Sequence, residues 1–346
     1  MTKILLVTDT HYGIRSDNSV FYEYFNLFNK EIFKIIKERD IKTVVHLGDL
    51  VDRRKYINYV TLKRMKEDFL LPLLELAEVH FILGNHDVYY RSTNNINAIK
   101  ELFPSFKIYD SATEVDISGS KILMVPWINS ENNQHSIKMI SESKAKYLLG
   151  HLEIKGFEME RGSYATHGFD KEIFLKYDRV CSGHYHHKSR IDNIDYLGAC
   201  YQFTWADYNS NKGVHILDLE TNEMEFIPNK FSLFKKIYYQ ESMNIDFDDY
   251  FGSFVKVIIS SKDNPYLFDK FIDSLSAVAS DIQVIDEQIK YTSSEDIHID
   301  ESESTISIIE KSIIAQFQND NRKDDLIKLN KEIFKEALEL DLFVRA

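Results

Sequence analysis

Short apolar segments alternate with longer amphipathic ones over residues 1–230. Ile4–Val7 predicts a buried strand, and the residues Phe21, Tyr24, Phe25, Phe28, Ile32 and Ile35 recur at helical spacing. Further strands are predicted at Thr43–Leu47, Val79–Leu83, Lys121–Val125, Lys146–Leu149 and Arg179–Cys181. Alternation of this kind favours an α/β domain, with strand pairs closed by tight turns in its second half.

A smaller β-α-β pattern follows Pro228-Asn229, with strands at 254–259 and 282–285 around a helix at 266–279. Residues 292–304 then contain five acidic residues, four serines and no Lys or Arg, which is typical of a linker. We therefore divide the chain into four segments: 1–230, 231–291, 292–304 and 305–346.

Two amphipathic helices are predicted in the last segment, separated by a turn at Asn319–Asn321. Their apolar stripes consist of Ile306, Ile309, Ile313 and Phe317, and of Leu326, Leu329, Ile333 and Ala337. Stripes of this kind either pack against their own domain or dock on a partner, and the pattern alone leaves both open.

Composition excludes several classes of protein. The 346 residues are 44% hydrophobic, which is enough for a full core, and no apolar run of 18 residues is present to cross a membrane. The N-terminal apolar run is too short for a secretory signal, and two cysteines, Cys181 and Cys200, make no disulfide framework. We expect a cytoplasmic enzyme or complex subunit.

The negative charge is concentrated near the C-terminus. Residues 1–230 have 29 Lys and Arg against 32 Asp and Glu, whereas residues 231–346 have 13 against 23. This balance does not by itself indicate nucleic-acid binding, which needs local Lys and Arg. The nearest basic run is Arg53-Arg54-Lys55, and on charge alone it is a solvated loop.

Polar groups follow five of the predicted strands. The motifs are Asp9-Thr10-His11, Gly48-Asp49 with Asp52, Gly84-Asn85-His86-Asp87, Gly150-His151 and Gly183-His184-Tyr185-His186. Loops at the carboxyl ends of strands are where α/β folds place their sites. Each motif is weak alone, but the ordered set predicts one site rich in Asp, His and Asn.

This set resembles the five signature motifs of the calcineurin-like metallophosphoesterases. The resemblance implies a β-sandwich flanked by helices, in four α/β/β/α layers, with a dinuclear metal site. Asp9, His11, Asp49 and His186 would hold one ion, and Asp49, Asn85, His151 and His184 the other, so that Asp49 bridges them. His86 would be the catalytic histidine facing the scissile phosphate.

The donor types suit such a centre. Imidazole, carboxylate and amide oxygen together favour Mn²⁺, Fe²⁺ or Zn²⁺ over an all-oxygen Mg²⁺ site. Two divalent ions can clamp the attacking and leaving oxygens of an in-line displacement. We expect two divalent metal ions, Mn²⁺ first and Mg²⁺ as the alternative.

The first motif continues into Tyr12-Gly13, which looks like the nuclease branch typified by SbcD and the Mre-eleven nucleases rather than the protein phosphatases. Asp52 stands where many of these nucleases have histidine, and Asp87 replaces the glutamate usual in phosphatases. We expect Asp52, Arg53 and Asp87 to orient a metal ligand or to face the phosphate.

Further stretches are similar to the recombination endonuclease subunits of T-even-like phages, among them Val125–Ile128 and Tyr201–Trp205, whereas Ala199-Cys200 departs from their pattern. The resemblance implies a nuclease subunit that acts on DNA with an SbcC-like coiled-coil ATPase, as a homodimer within a heterotetramer, in the host cytoplasm if the protein is viral. Residues 231–291 would be a capping domain that shapes the DNA groove, and the tail would dock on the ATPase.

Other functions use the same ligands. A protein phosphatase or a small-molecule phosphodiesterase would need no acidic linker followed by two striped helices. A non-catalytic scaffold of this fold would be expected to have lost ligands, and here each motif keeps its own.

Overall fold

The structure is a computed structural model, which describes residues 2–160, 162–240, 243–260 and 264–286, together with Leu326, Ile327 and Leu329. Its strands are β1 (Lys3–Val7), β2 (Thr43–His46), β3 (Glu78–Ile82), β4 (Lys107–Tyr109), β5 (Thr113–Ile117), β6 (Ser120–Val125), β7 (Tyr147–His151), β8 (Glu158–Glu160), β9 (Ser163–Tyr164), β10 (Arg179–Gly183), β11 (Ser189–Ile191), β12 (Ile194–Tyr196), β13 (Gly213–Asp218), β14 (Met224–Pro228), β15 (Phe234–Tyr238), β16 (Phe254–Ile259) and β17 (Asp281–Asp286).

The helices of the described chain are α1 (Ile14–Asp17), α2 (Ser19–Glu38), α3 (Tyr59–Met65), α4 (Leu71–Leu76), α5 (Ala98–Leu102), α6 (Asn133–Glu142) and α7 (Pro265–Ser276). A π-helical turn, Lys66–Leu70, joins α3 to α4. α1 is a single turn in which Arg15, Ser16 and Asp17 have positive φ.

Two six-stranded sheets form a sandwich, with strand orders β14-β13-β1-β2-β3-β4 and β11-β12-β10-β7-β6-β5. Apolar side chains from both inner faces fill the space between them, including Ile4 and Val45 from the first sheet and Tyr147 and Cys181 from the second. Each strand therefore alternates its side chains between this inner core and an outer face.

Helices cover both outer faces, as the resemblance implies for a four-layer α/β/β/α fold. On the first sheet, α2 buries Phe21, Phe25, Phe28, Ile32 and Ile36, so the helix predicted there is present, with Ile36 rather than Ile35 in the buried stripe. On the second sheet, Ile140 of α6 packs with the strand residues Leu148 and Val180.

The strand directions bring five loops to one edge. β1, β2 and β3 are parallel neighbours in the first sheet, and β6, β7 and β10 are parallel neighbours in the second. All five strands that precede the sequence motifs are among these six, so the motifs gather at the carboxyl edge of the sandwich.

A third, three-stranded sheet, β15-β16-β17, packs with α7 around its own core, which includes Val257, Phe268 and Leu275. The β-α-β pattern of the sequence is present here. The pattern does not predict β15, because Phe234 and Ile237 are buried at a spacing of three rather than alternately. Gln202 Oε1 accepts the amides of Leu233 and Phe234 at 2.8 and 3.1 Å, which ties β15 to the sandwich.

Residues 2–285 belong to one compact unit. The predicted linker 292–304 and most of the tail, including Ile306, Ile309, Ile313, Phe317 and Ile333, lie outside the described residues, whereas Leu326 and Leu329 are helical. Among the described helices, none has both the length and the apolar character needed to span a lipid bilayer.

Candidate metal centre

Seven side chains from five loops bring nitrogen and oxygen donors together at the carboxyl edge of the sandwich. Two of the groups that could hold an ion are Asp9, His11 and His186, and Asp49, His151 and His184. Within each group the donor atoms lie within 4.8 Å of one another. Donors about 2.0–2.2 Å from a common ion would be spaced in this way.

The Asp49 carboxylate lies between the two groups. Its Oδ2 is 3.6 Å from His11 Nε2 and 3.4 Å from His151 Nε2. One carboxylate oxygen is therefore within reach of an imidazole from each group, which is the position a bridging ligand occupies.

Asn85 lies within the second group, where its amide oxygen faces both histidines. Its Oδ1 is 3.0 Å from both His151 Nε2 and His184 Nδ1. In the first group, His11 Nε2 and His186 Nε2 are 3.1 Å apart, and each is 3.9 Å from Asp9 Oδ1. Two imidazole nitrogens directed at one another in this way suit a shared cation better than a hydrogen bond.

The backbone of these loops is conformationally unusual. Asp9, His11, Asp49 and His184 all have positive φ, between 43° and 89°. Such conformations in residues other than glycine cluster at functional sites. Next to Asp49, Gly48 has a φ of 98°, and a Cβ there would lie 2.5 Å from His151 Nδ1, so only glycine fits.

Asp87 is fully buried and holds two of these loops together. Its carboxylate accepts the backbone amides of Gly84, Asp49 and Leu50 at 2.8–2.9 Å, and that of Val51 at 3.3 Å. All of these partners are amides of the loops after β2 and β3, so the structure places Asp87 behind the ligands rather than toward a phosphate.

Asp52 contacts two of the site histidines. Its carboxylate is 3.5 Å from His11 Nδ1, and its backbone carbonyl accepts a hydrogen bond of 2.6 Å from His86 Nδ1–H. The role expected for Asp52, to orient a ligand, is consistent with this geometry. Arg53 instead pairs with Asp17 at 2.8 Å and lies outside the metal-donor groups.

His86 adjoins the first group, and with His11 and Asp49 it forms a third set of donors close enough together to hold an ion. Its ring centroid is 4.8 Å from that of His11, and its backbone amide donates to Asp49 Oδ1 at 2.8 Å. Because Nδ1 is held by the Asp52 carbonyl, Nε2 is the nitrogen left for a substrate. Burial lowers the pKa of His86, so the imidazole is mainly neutral near pH 7.

The buried carboxylates and imidazoles require each other's charge. Burial acts to raise the pKa of Asp49, but His151 and His86 outweigh it and hold that pKa well below its ordinary value. Burial acts to lower the pKa of His151, but Asp49 raises it to about 9. Divalent cations supply the same compensating charge when they bind and release protons, so the donor set fits a metal centre.

Three residues at the site carry no signal as site residues in the sequence. The Trp127 ring lies 5.1 Å from that of His184, and the Phe203 ring lies 5.3 Å from His11 and 5.1 Å from His186. His46 Nε2 contacts Thr10 Oγ1 at 3.1 Å behind the first loop. The two aromatic rings restrict the rotamers of the histidines they touch, and only the long stretches similar to phage endonucleases draw attention to them.

The family model for calcineurin-like phosphoesterases matches residues 2–188, which include all five loops. The chain belongs to the calcineurin-like phosphoesterase family. The fold and the enzyme class expected from the sequence are thus confirmed, and members of this family use divalent metals.

Individual relatives define the branch within the family. Exonuclease subunit 1 of Enterobacteria phage T4 is 30% identical over 97% of this chain and 99% of its own length. The SbcD component of nuclease SbcCD from Staphylococcus epidermidis is 22% identical over 77% of this chain and 78% of its own. The same component from Staphylococcus saprophyticus subsp. saprophyticus is 25% identical over 66% of this chain and 69% of its own length. The SbcD-like branch expected from the first motif is confirmed.

Proposed function

We propose that this chain is a nuclease that hydrolyses DNA phosphodiester bonds with two divalent metal ions, as the nuclease subunit of a complex with an SbcC-like coiled-coil ATPase. The observation that carries the proposal is the position of Asp49 Oδ2 between His11 and His151. Relatives named as exonuclease and nuclease subunits support the substrate and the complex.

One ion would be held by Asp9, His11, Asp49 and His186, and the other by Asp49, Asn85, His151 and His184. Mn²⁺ is the proposed metal, since four imidazoles stand among the donors. When bound, such ions polarise the phosphate and make water acidic enough to serve as a nucleophile near neutral pH.

The chain's own residues would then orient the metal ligands and supply a proton to the leaving oxygen. His86 would be the catalytic histidine: with Nδ1–H on the Asp52 carbonyl, its Nε2 would first take up a proton, and the imidazolium would then protonate the leaving oxygen or stabilise charge on the phosphate. Asp87 and Asp52 would set the ligand geometry from behind. These carboxylates act through the residues they touch.

We also propose a division of labour along the chain. Residues 1–230 would form the nuclease domain, 231–291 a cap beside the DNA, 292–304 a tether, and 305–346 the segment that docks on the ATPase. The separate core around Val257 and Phe268 supports the second of these. The assembly would be a heterotetramer with two nuclease subunits, acting in the cytoplasm of the host cell.

The test compares substrates under one set of conditions. Linear duplex DNA, a phosphoserine peptide and a cyclic nucleotide are each incubated with the full chain and Mn²⁺ or Mg²⁺, with and without the candidate ATPase. We expect DNA cleavage that exceeds turnover of the other two and is lost in Asp49→Ala. Efficient phosphopeptide turnover without DNA cleavage under either metal would show a phosphatase instead.

A further inference from the structure

A cavity of about 180 Å³ lies next to the metal centre, outside the residues assigned to it. Its walls come from the loop that follows Asp49, from the loop that follows His86 and from α5. The side chains that face it include Tyr56, Ile57, Tyr89, Ile96 and Leu102. An apolar cavity of ~150 Å³ can take up benzene, so this one has room for a planar ring system.

Aromatic rings and cations alternate along the cavity. Tyr56 is 58% exposed, and the Arg53 guanidinium lies 5.1 Å from its ring centroid. The Lys55 ammonium lies 5.7 Å from the Tyr89 ring, which is itself 4.7 Å from the ring of Tyr90. Interleaved aromatic and basic side chains are typical of surfaces that bind single-stranded nucleic acid.

Within the described part of the chain, two guanidiniums have no ion-pair partner at short range: that of Arg54, which lines the cavity, and that of Arg91. Among the residues that the structure describes, no carboxylate lies within 4 Å of Arg54 or Arg91, although Glu101 also lines the cavity. Burial, and next the charge of Arg91, lower the pKa of Arg54, whereas Asp49 acts to raise it. Arg54 is two residues after Asp52, whose carbonyl accepts a hydrogen bond of 2.6 Å from His86 Nδ1–H, so Arg54 and His86 lie in the same region. A partly buried guanidinium that a second one repels is complementary to a phosphate.

We propose that this cavity, the Tyr56 cavity, binds one unpaired nucleobase at a DNA end, with Arg54 and Arg91 on the adjoining phosphates. The inference rests on the proposed nuclease function and names its substrate as DNA with a single-stranded end. A base within a duplex is stacked on both faces and cannot offer a face to Tyr56 or Tyr89, whereas an unpaired base can. A phosphate held by Arg54 would lie beside His86, so the cavity would guide the strand to the metal centre.

The test measures binding of fluorescein-labelled DNA by anisotropy, with EDTA present so that nothing is cut. Two probes are compared: a blunt duplex, and the same duplex with a short single-stranded tail that contains 2-aminopurine. Tyr56→Ala should raise the Kd of the tailed probe roughly tenfold relative to the blunt probe, the scale of one lost base–aromatic stack, and should abolish the quenching of 2-aminopurine. Tyr56→Phe should restore both.

The control is Tyr59→Ala, because Tyr59 is 87% exposed and does not line the cavity. It should leave the ratio of the two Kd values unchanged. Arg54→Ala should lower the slope of log Kd against log salt concentration by about one for the tailed probe, and Arg54→Lys should lower it less.

Equal weakening of both probes by Tyr56→Ala, or unchanged quenching, would overturn the inference and assign the cavity to another occupant, such as a protein segment. The failure of the proposed function is a separate result. If the wild-type chain cleaves bis(p-nitrophenyl) phosphate but no DNA, the nuclease proposal fails whatever Tyr56 does. If it cleaves DNA and Tyr56→Ala binds the tailed probe normally, only the cavity proposal fails.

Discussion

One carboxylate oxygen of Asp87, Oδ2, accepts the backbone amide of Asp49 at 2.8 Å across 38 positions of sequence. The same oxygen accepts the amide of Gly84 at 2.8 Å. The loop that bears the proposed bridging ligand is thereby locked to the loop that bears Asn85 and His86. The Asp87 carboxyl gives these buried amides their partner, and amides left without a partner keep their full desolvation penalty.

The first prediction is that Asp87→Asn weakens metal binding without removing a ligand. The new amide group would turn a donor toward backbone donors, so we expect a loss of about 10–100-fold in metal affinity and of about 1–3 kcal/mol in the free energy of unfolding. Metal titration and urea unfolding measure these. Asp116→Asn is the matched control, because Asp116 accepts the amide of Gly119 in an exposed turn.

The second prediction separates a shared ligand from an unshared one. Asp49→Ala should lose both ions, since its carboxylate faces both donor groups, whereas Asn85→Ala should lose one. Elemental analysis of the purified variants gives the number of ions per chain. Two tightly held ions in Asp49→Ala would refute the bridging assignment.

The third prediction concerns His86. His86→Ala should keep both ions and lose about 10²–10⁴ in the rate of DNA cleavage, the usual scale for a positioned acid or base. Rates and metal content are measured together, with the exposed His167→Ala as the control. Unchanged turnover would remove His86 from the mechanism, and loss of metal would make it a ligand.

The fourth prediction concerns the segment after His151. The buried hydroxyl of Tyr196 accepts the amide of Ile154 at 3.0 Å and donates to the carbonyl of Leu152 at 2.9 Å. Tyr196→Phe leaves both groups unpaired, so the free energy of unfolding should fall by about 1–3 kcal/mol. Tyr164→Phe, at a residue that is 60% exposed, should stay within about 0.5 kcal/mol of the wild type in the same urea titration.

The fifth prediction tests the tail. A chain truncated after Tyr291 should keep its metals and melt cooperatively but fail to co-purify with the ATPase, because the stripes that include Ile306 and Ile333 are proposed to dock on it. Calorimetry and co-purification decide the matter. A sharp fall in melting temperature with ATPase binding retained would show that the tail packs on its own domain.

The grouping of the site motifs can be predicted because its causes are local. A buried strand followed by glycine and a polar residue can be recognised without knowing which distant segments contact it. Parallel neighbouring strands then bring such ends to one edge of the sheet. Asp49, His151 and His184 can be found in this way, whereas Asp9 follows its strand without a glycine, and the structure brings all four together.

What the sequence could not provide depends on contacts between distant segments. Asp87 looks like a variant of a motif residue, yet its partners are amides of a loop that begins near position 49. Trp127 and Phe203 sit in ordinary apolar stretches, and only packing turns their rings toward the histidines. β15 has no alternating pattern, and Lys236, two residues from the buried Phe234, is half-buried with its ammonium 4.8 Å from the centroid of the Tyr208 ring.

The left-handed backbone at Asp9, His11, Asp49 and His184 sets a limit on how far this enzyme can be engineered. Each such residue costs about 1–3 kcal/mol, which the sandwich must offset before any substrate arrives. Glycine would relieve that strain at every one of the four positions and would remove a donor each time. Selection for heat resistance alone would therefore favour these glycine substitutions and yield inactive proteins. Thermostable variants of this chain have to be screened for turnover in every round.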